Sequence, residues 1–239
     1  MDNLLWNNAS DENSFAQCPT LSDEIFRLLH HRILSGYYKR GERLSEAQLA
    51  AEWNISRSPI REAFIQLENT GLIKIVKRKG CHVLDFTGSD VREIAEMRLL
   101  IEQHIVKVLI EENRVDEKAI GQLQQILDAI DSVHKNTELS HEEMVYQASQ
   151  LDFKFHLAMA DLADRPAFFD LVKNTITRSR AIIGLLNIHP DTAMVLLDHN
   201  QFLEAFREKD VKKAQATVER HLRWMSVDDS PIFDAVEKK

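Results

Sequence analysis

Along residues 20–84 the apolar positions keep a helical period, break, resume it twice, and then shift to alternation. Leu21, Ile25, Leu28, Leu29 and Ile33 recur at helical spacing and predict a helix over 20–36, with Thr20 or Ser22 as its cap. Gly36 and Gly41 bracket a turn. Leu49, Ala50 and Trp53 mark one face of a second, short helix, opened by the capping-box pattern Ser45-Glu46-Ala47-Gln48. Asn54 tolerates a left-handed turn, and Ile55 is placed to plug the angle between two helices. Ser56 can cap a third helix that buries Ala63, Phe64 and Leu67. Pro59 is acceptable there only in the first turn, where amides have no helical partner in any case. Gly71, with Asn69 nearby, marks the stop. Ile73–Val76 reads as a short strand and Cys81–Leu84 as its return, joined by the basic turn Lys77-Arg78-Lys79-Gly80.

Beyond residue 88 the pattern is helical throughout. Only Gly184 interrupts residues 122–239 as a glycine. Helices are expected near 89–112, 116–134, 140–163, 166–187, 191–208 and 211–226. Asp164-Arg165-Pro166, His189-Pro190-Asp191 and Glu208-Lys209-Asp210 are the sharpest junctions. Amphipathic helices with short connections imply an antiparallel bundle. The expected class is mainly α: a flexible arm over 1–19, a small α/β head over 20–86, a linker over 87–90, an all-α bundle of six or seven helices over 91–228, and a tail over 229–239.

The head has the order of a winged helix-turn-helix, with Arg57, Ser58 and Arg61 exposed at the start of its second recognition-type helix. In such a fold these positions meet base edges in the major groove. Arginine pairs bidentately with guanine, and a hydroxyl reaches a base or a phosphate. A basic turn beside that helix suits phosphate or minor-groove contact. The formal net charge of −8 conflicts with this only until it is divided. Residues 20–88 hold 11 Lys/Arg against 8 Asp/Glu, a net of +3, while 1–19 contribute −3 and 89–239 contribute −8. The positive end is the one expected on DNA. A winged helix that binds protein is the bland alternative.

Two cysteines, Cys18 and Cys81, provide neither a disulfide framework nor a cysteine zinc motif, which fits a reducing cytoplasm. No apolar run is long enough to span a bilayer, and the acidic, polar start is unlike a secretory signal.

The bundle holds a second constellation. Asp152 and His156 are four apart, so a helix stacks them on one face. His199 and His221 lie eleven residues before and after Asp210, the centre of a helix–helix turn. At equal distances of ~16 Å from that turn they can face each other across the antiparallel pair. If the Asp152–His156 helix is the third wall, one carboxylate and three imidazoles converge. That donor set suits zinc foremost, or nickel, cobalt or manganese.

Leu44-Ser45-Glu46, Ile55 through Ala63, Leu67 and Gly71-Leu72-Ile73 resemble the GntR family of bacterial transcription regulators, and the bundle resembles its FCD branch. The likeness covers about residues 20–225. It implies DNA contact by Arg57, Ser58, Arg61 and the wing-tip Gly80; Ser45, Ser56, Lys77, Arg78 and Lys79 complete the candidate DNA face. Pro59 stands where several members have a hydroxyl residue, so one such contact is missing. It also implies that Asp152, His156, His199 and His221 hold a divalent metal. Arg98, in the first bundle helix, matches an arginine that faces the effector cavity. Arg178 and Arg180 are further effector candidates only as charged residues on a helix expected to line the bundle.

The function expected is that of a regulator, acting as a repressor, on a palindromic double-stranded operator. It would work as a homodimer and be controlled by a small organic acid that ligates the metal and pairs with an arginine. The dimer interface is left open between the first bundle helices (Ile94, Met97, Leu100, Ile101, Ile105) and the winged heads. Rival readings are a metal-sensing regulator, a metal-dependent enzyme fused to a DNA-binding head, and a fatty-acyl effector, which a polar metal centre disfavours. Against the enzyme, no motif places a general base.

Overall fold

The computed structural model describes residues 20–76, 80–188, 192–226 and 231–237. The expected arm over 1–19, the junction at His189-Pro190-Asp191 and the side chains of Lys77, Arg78 and Lys79 lie outside them. The chain divides into two compact units: one takes it up to Thr87 together with Arg180–Asn187, the other takes Gly88–Ser179 and everything from Ile188.

In the first unit, α1 (Leu21–Leu34) starts at a closed capping box. The Thr20 hydroxyl accepts from the Asp23 amide at 3.2 Å, and the Asp23 carboxylate accepts from the Thr20 amide at 2.9 Å. The chain reverses through Gly36 and Gly41, at φ 74° and 73°, where a side chain would be strained. It then forms β1 (Arg43–Leu44) and α2 (Glu46–Trp53). Ser45 caps α2, accepting from the Gln48 amide at 3.4 Å. Asn54 ends α2 in the left-handed conformation, φ 53° and ψ 46°, as the turn requires.

Next comes α3 (Arg57–Asn69), with Pro59 in its first turn. Ser56 occupies the N-cap position, but its hydroxyl makes no capping bond, contrary to the role read from the sequence. Ile60, Ala63, Phe64 and Leu67 of α3 share one core with Ile25, Leu29 and Ile33 of α1. Full burial stabilises each large side chain by roughly 1.5–3 kcal/mol.

The hairpin strands β2 (Ile73–Val76) and β3 (Gly80–Val83) pair antiparallel, Lys74 opposite His82. A third strand, β1, pairs on the other side of β3, Arg43 also opposite His82, so the order is β1-β3-β2. The sequence reading lacked β1, because two residues carry no period. On the edge strand β2 the Ile75 amide donates to Glu68 of α3 at 2.8 Å, which ties the wing to the recognition helix.

The rest of the chain runs α4 (Gly88–Glu111), α5 (Glu117–Lys135), α6 (His141–Leu162), α7 (Pro166–Leu186), α8 (Thr192–Glu208), α9 (Val211–Ser226) and α10 (Pro231–Glu237); all of it lies in the second unit except the end of α7 from Arg180. Asp116 caps α5, accepting from the Ala119 amide at 2.8 Å, and Ser140 caps α6. Asn113, Asp164, Asn187 and Lys209 stand just past helix ends at φ between 50° and 54°, so these turns are made without glycine. Helix α4 packs on α9 and α6, α5 on α6 and α8, and α8 on α9. That arrangement puts α6, α8 and α9 around one interior.

Helix α10 falls within the expected tail. Its Ile232 and Phe233 are buried, Phe233 packs beside Gly88, and the Arg92 guanidinium lies 4.6 Å from the Phe233 ring centre. Seven residues are too few for a convincing helical period.

Candidate functional site

Helix α6 supplies Asp152 and His156, α8 supplies His199, and α9 supplies His221. One donor atom from each lies within 4.8 Å of the other three. The imidazole centres form a near-equal triangle: 5.1 Å for His156–His199, 5.1 Å for His156–His221 and 4.8 Å for His199–His221. The symmetry of His199 and His221 about the α8–α9 turn therefore does place them face to face. His156 Nε2 and His199 Nε2 are 3.2 Å apart, and Asp152 Oδ1 is 3.4 Å from the latter and 3.8 Å from the former.

The three histidines are almost fully buried, at 1%, 0% and 7% exposure, while Asp152 opens partly outward. Burial holds the pKa of His199 well below its usual value, and the neighbouring His221, His156 and Arg98 act in the same direction. A neutral ring keeps a lone pair free for a cation. Asp152 Oδ1 and His199 Nδ1 are buried without a hydrogen-bond partner. Orphaned polar atoms of this kind are rare in a folded interior and point to an unmet partner. The donor set thus fits a divalent metal.

Two carboxylates that the sequence reading passed over stand behind the histidines. Glu102 of α4 places Oε2 at 3.0 Å from His156 Nδ1, and its Oε1 accepts from Arg98 Nε at 2.7 Å. Burial alone would raise the Glu102 pKa, but Arg98 and His156 outweigh it and hold the carboxyl well below the usual carboxylate range. Asp198 of α8 lies 3.6 Å from His221 Nδ1 and accepts from Arg220 at 2.6 Å. Burial again opposes ionisation, and bonds to His221 and Arg220 prevail to lower its pKa. Carboxylates so placed orient metal-binding imidazoles. The available signals were Arg98-x-x-x-Glu102, an i,i+4 pair, and the adjacency of Asp198 to His199 and of Arg220 to His221.

Arg98 is no surface salt bridge: it is 5% exposed, and its Nη2 is buried without a hydrogen-bond partner. Arg178 and Arg180 are half-buried on α7. The arginine that reaches the Glu102–His156 pair is Arg98.

In the first unit, Ser56, Arg57, Ser58 and Arg61 are exposed at the start of α3. Arg61 is held by Glu46 of α2, with Nη2–Oε2 at 2.8 Å and Nε–Oε1 at 3.2 Å. Ser45 is half-buried, and its hydroxyl is engaged in capping α2. Gly80 sits at φ 95°, where any other residue would be strained, and a Cβ there would stand 3.1 Å from Nε of the exposed Arg43 side chain. Arg43, exposed beside the wing, is a cation the sequence reading did not single out. Cys81 is buried, and burial, helped by Glu68 and Glu46, pushes its thiol up to about 12. A thiol buried in this way is a poor nucleophile.

Among the described residues no helix is long and apolar enough to cross a membrane. The model for bacterial regulatory proteins of the gntR family matches residues 21–83, and that for the FCD domain matches residues 93–223. The chain is similar to the HTH-type transcriptional regulator YdhC of Bacillus subtilis (strain 168), 30% identical over 201 residues, which cover 83% of this chain and 86% of YdhC. It is similar to the gluconate operon transcriptional repressor of the same strain, 28% identical over 190 residues, or 76% of this chain and 74% of the repressor. Among solved structures, Lar, which controls the expression of the Listeria monocytogenes agr system, aligns with a TM-score of 0.63 at 17% identity over 88% of this chain and 96% of that one. At that identity the likeness is one of fold.

Proposed function

This chain belongs to the gntR family of bacterial regulatory proteins and carries an FCD domain, and from that premise we propose a repressor that responds to a small carboxylate at a metal site in its second unit. The premise makes it a DNA-binding transcription regulator rather than an enzyme. Its output face is Ser45, Ser56, Arg57, Ser58 and Arg61 with the wing turn Lys77, Arg78, Lys79 and Gly80. Arg57 and Arg61 are the base readers, and the hydroxyls and wing cations position the duplex through phosphates. The half-buried, capping Ser45 is the member of that set with the least freedom to reach DNA.

The observation that carries the input side is the convergence of Asp152, His156, His199 and His221 within 4.8 Å, with a buried, unpartnered carboxylate oxygen among them. Such an atom costs about 1–3 kcal/mol if nothing meets it. One oxygen and three imidazoles suit zinc, with nickel, cobalt or manganese as the other transition-metal options. When bound, the metal supplies a Lewis-acidic centre that an anionic oxygen can ligate. Arg98, buried with one nitrogen unpartnered, is the cation for the rest of that anion. The same unpartnered nitrogen favours an organic acid over the metal alone as the signal. The relative named for the gluconate operon supports sugar acids as the first class to try, and its name as a repressor supports the direction of control.

The test is zinc content of protein purified from cells, followed by operator affinity with sugar acids and dicarboxylates added in turn. A zinc-containing protein whose operator affinity falls with one such acid supports the reading. Absence of metal even after reconstitution, or operator affinity indifferent to every carboxylate in the zinc-loaded protein, sinks it. If stripping zinc alone releases DNA reversibly, metal sensing replaces it.

A further inference from the structure

Glu102 stands where two parts of the site meet. Its side chain is 4% exposed, and each of its oxygens faces a different neighbour. Oε1 accepts from Arg98 Nε at 2.7 Å, and Oε2 lies 3.0 Å from His156 Nδ1, close but off hydrogen-bond geometry, so both of those atoms are buried without a hydrogen-bond partner. Beyond those neighbours the chemistry divides. His156 turns its other nitrogen, Nε2, toward His199 and Asp152, at 3.2 and 3.8 Å. Arg98 keeps Nη2 buried and without a hydrogen-bond partner. One carboxylate therefore shares its charge between a metal donor and a guanidinium with an unfilled position.

We propose that Glu102 is a positioning residue that couples metal binding to anion binding. This rests on the metal-and-carboxylate reading given above. A small rotation of either side chain lets Glu102 Oε2, 3.0 Å away, accept the Nδ1 proton of His156, which fixes the tautomer whose Nε2 lone pair faces the donor cluster. A carboxylate behind a ligand imidazole raises its basicity, and its loss weakens metal affinity by about 10–100-fold. Arg98 competes for the same carboxylate. An anion on Arg98 Nη2 draws off part of the guanidinium's charge, so Glu102 turns more strongly to His156. Metal and anion then favour each other, by the same factor in both directions. A direct bond from anion to metal would also produce mutual favour, but it would not depend on Glu102.

The experiment measures zinc affinity by competition with a chromophoric chelator, for native protein and Glu102→Gln, each with and without acetate as the anion probe. Native protein is expected to bind one zinc per chain, more tightly with acetate. Glu102→Gln is expected to keep that stoichiometry, bind zinc about 10–100-fold more weakly, and lose the acetate enhancement. An unchanged zinc affinity in Glu102→Gln, an acetate enhancement that survives in it, or none in native protein overturns the proposal. Native protein without zinc at all fails at the underlying reading, and the stoichiometry tells the two failures apart. Should Glu102→Gln not fold, Glu102→Asp carries the test: withdrawing the carboxylate by one methylene lowers both quantities, and native values for both overturn the proposal.

Discussion

Arg57 and Arg61 are both exposed at the start of α3, but they are held differently, since Arg61 is paired with Glu46 and must exchange that partner to meet a base. A bidentate arginine–guanine contact is worth about 1–3 kcal/mol of discrimination. Arg57→Ala and Arg61→Ala are each expected to weaken operator binding by about 5–150-fold and to leave zinc content unchanged. Fluorescence anisotropy on labelled operator measures the first quantity and elemental analysis the second. Normal operator shifts by both variants would remove Arg57 and Arg61 from the reader. In the second unit, His199→Ala and His221→Ala are expected to lose zinc. They should then also lose the stabilisation that a bound ligand confers, about 2.7 kcal/mol at a hundredfold excess over its dissociation constant. Thermal unfolding with and without zinc checks this: a zinc-dependent rise in Tm that persists in His221→Ala means the ion sits elsewhere.

At the scale of elements, caps set the helix ends, and they do so unequally. Asp116 accepts from the Ala119 amide at 2.8 Å, whereas Ser56 makes no side-chain bond to α3. Asp116→Ala is therefore expected to destabilise the protein by about 1 kcal/mol. Ser56→Ala should change stability by a few tenths of that at most, while still altering DNA binding if its hydroxyl meets phosphate. Denaturant titration separates the two variants, and equal losses would mean that the α3 cap is as strong as the α5 cap. Helix α4 has a divided role. Ile94 and Ile105 turn into the core of their own unit, while Leu100 is 71% exposed. Met97, Leu100, Ile101 and His104 line one shallow groove of about 250 Å³ with Phe168 and Leu171 of α7.

For the molecule as a whole that groove bears on assembly. A reader of palindromic half-sites works as a dimer. Of the five apolar α4 residues that the sequence offered for an interface, only Met97, Leu100 and Ile101 remain outside the core. If copies of the chain pair through this groove, Leu100→Glu is expected to shift the protein toward monomer in sedimentation velocity. A variant that stays dimeric assigns the interface to the winged heads instead. Charge follows the same division at this scale. The +3 over residues 20–88 and −8 over 89–239 favour phosphates at the winged head and oppose them along the helical remainder of the chain.

Much of this was legible in sequence because it is local. The helical periods, the Thr20 and Ser45 caps, the left-handed Asn54 and the start of α7 at Pro166 depend on residues within a turn or two of each other. The pairing of His199 with His221 was legible for a related reason, since a short hairpin turns counting into geometry. The strand β1 and the helix α10 were not, being too short to show a period and formed only against partners far along the chain. Glu102, Asp198 and the burial of Arg98 belong to the same class. An i,i+4 pair on α4 looks like a solvated face until the packing of α4 on α6 and α9 carries it beside His156. By itself the sequence determined the longer elements, the order of the winged head and the two local pairings Asp152 with His156 and His199 with His221, through interactions between near neighbours. Which carboxylates stand behind those donors, and which arginine is left with an open nitrogen, only the tertiary structure decided, because both depend on how helices far apart in the chain cross.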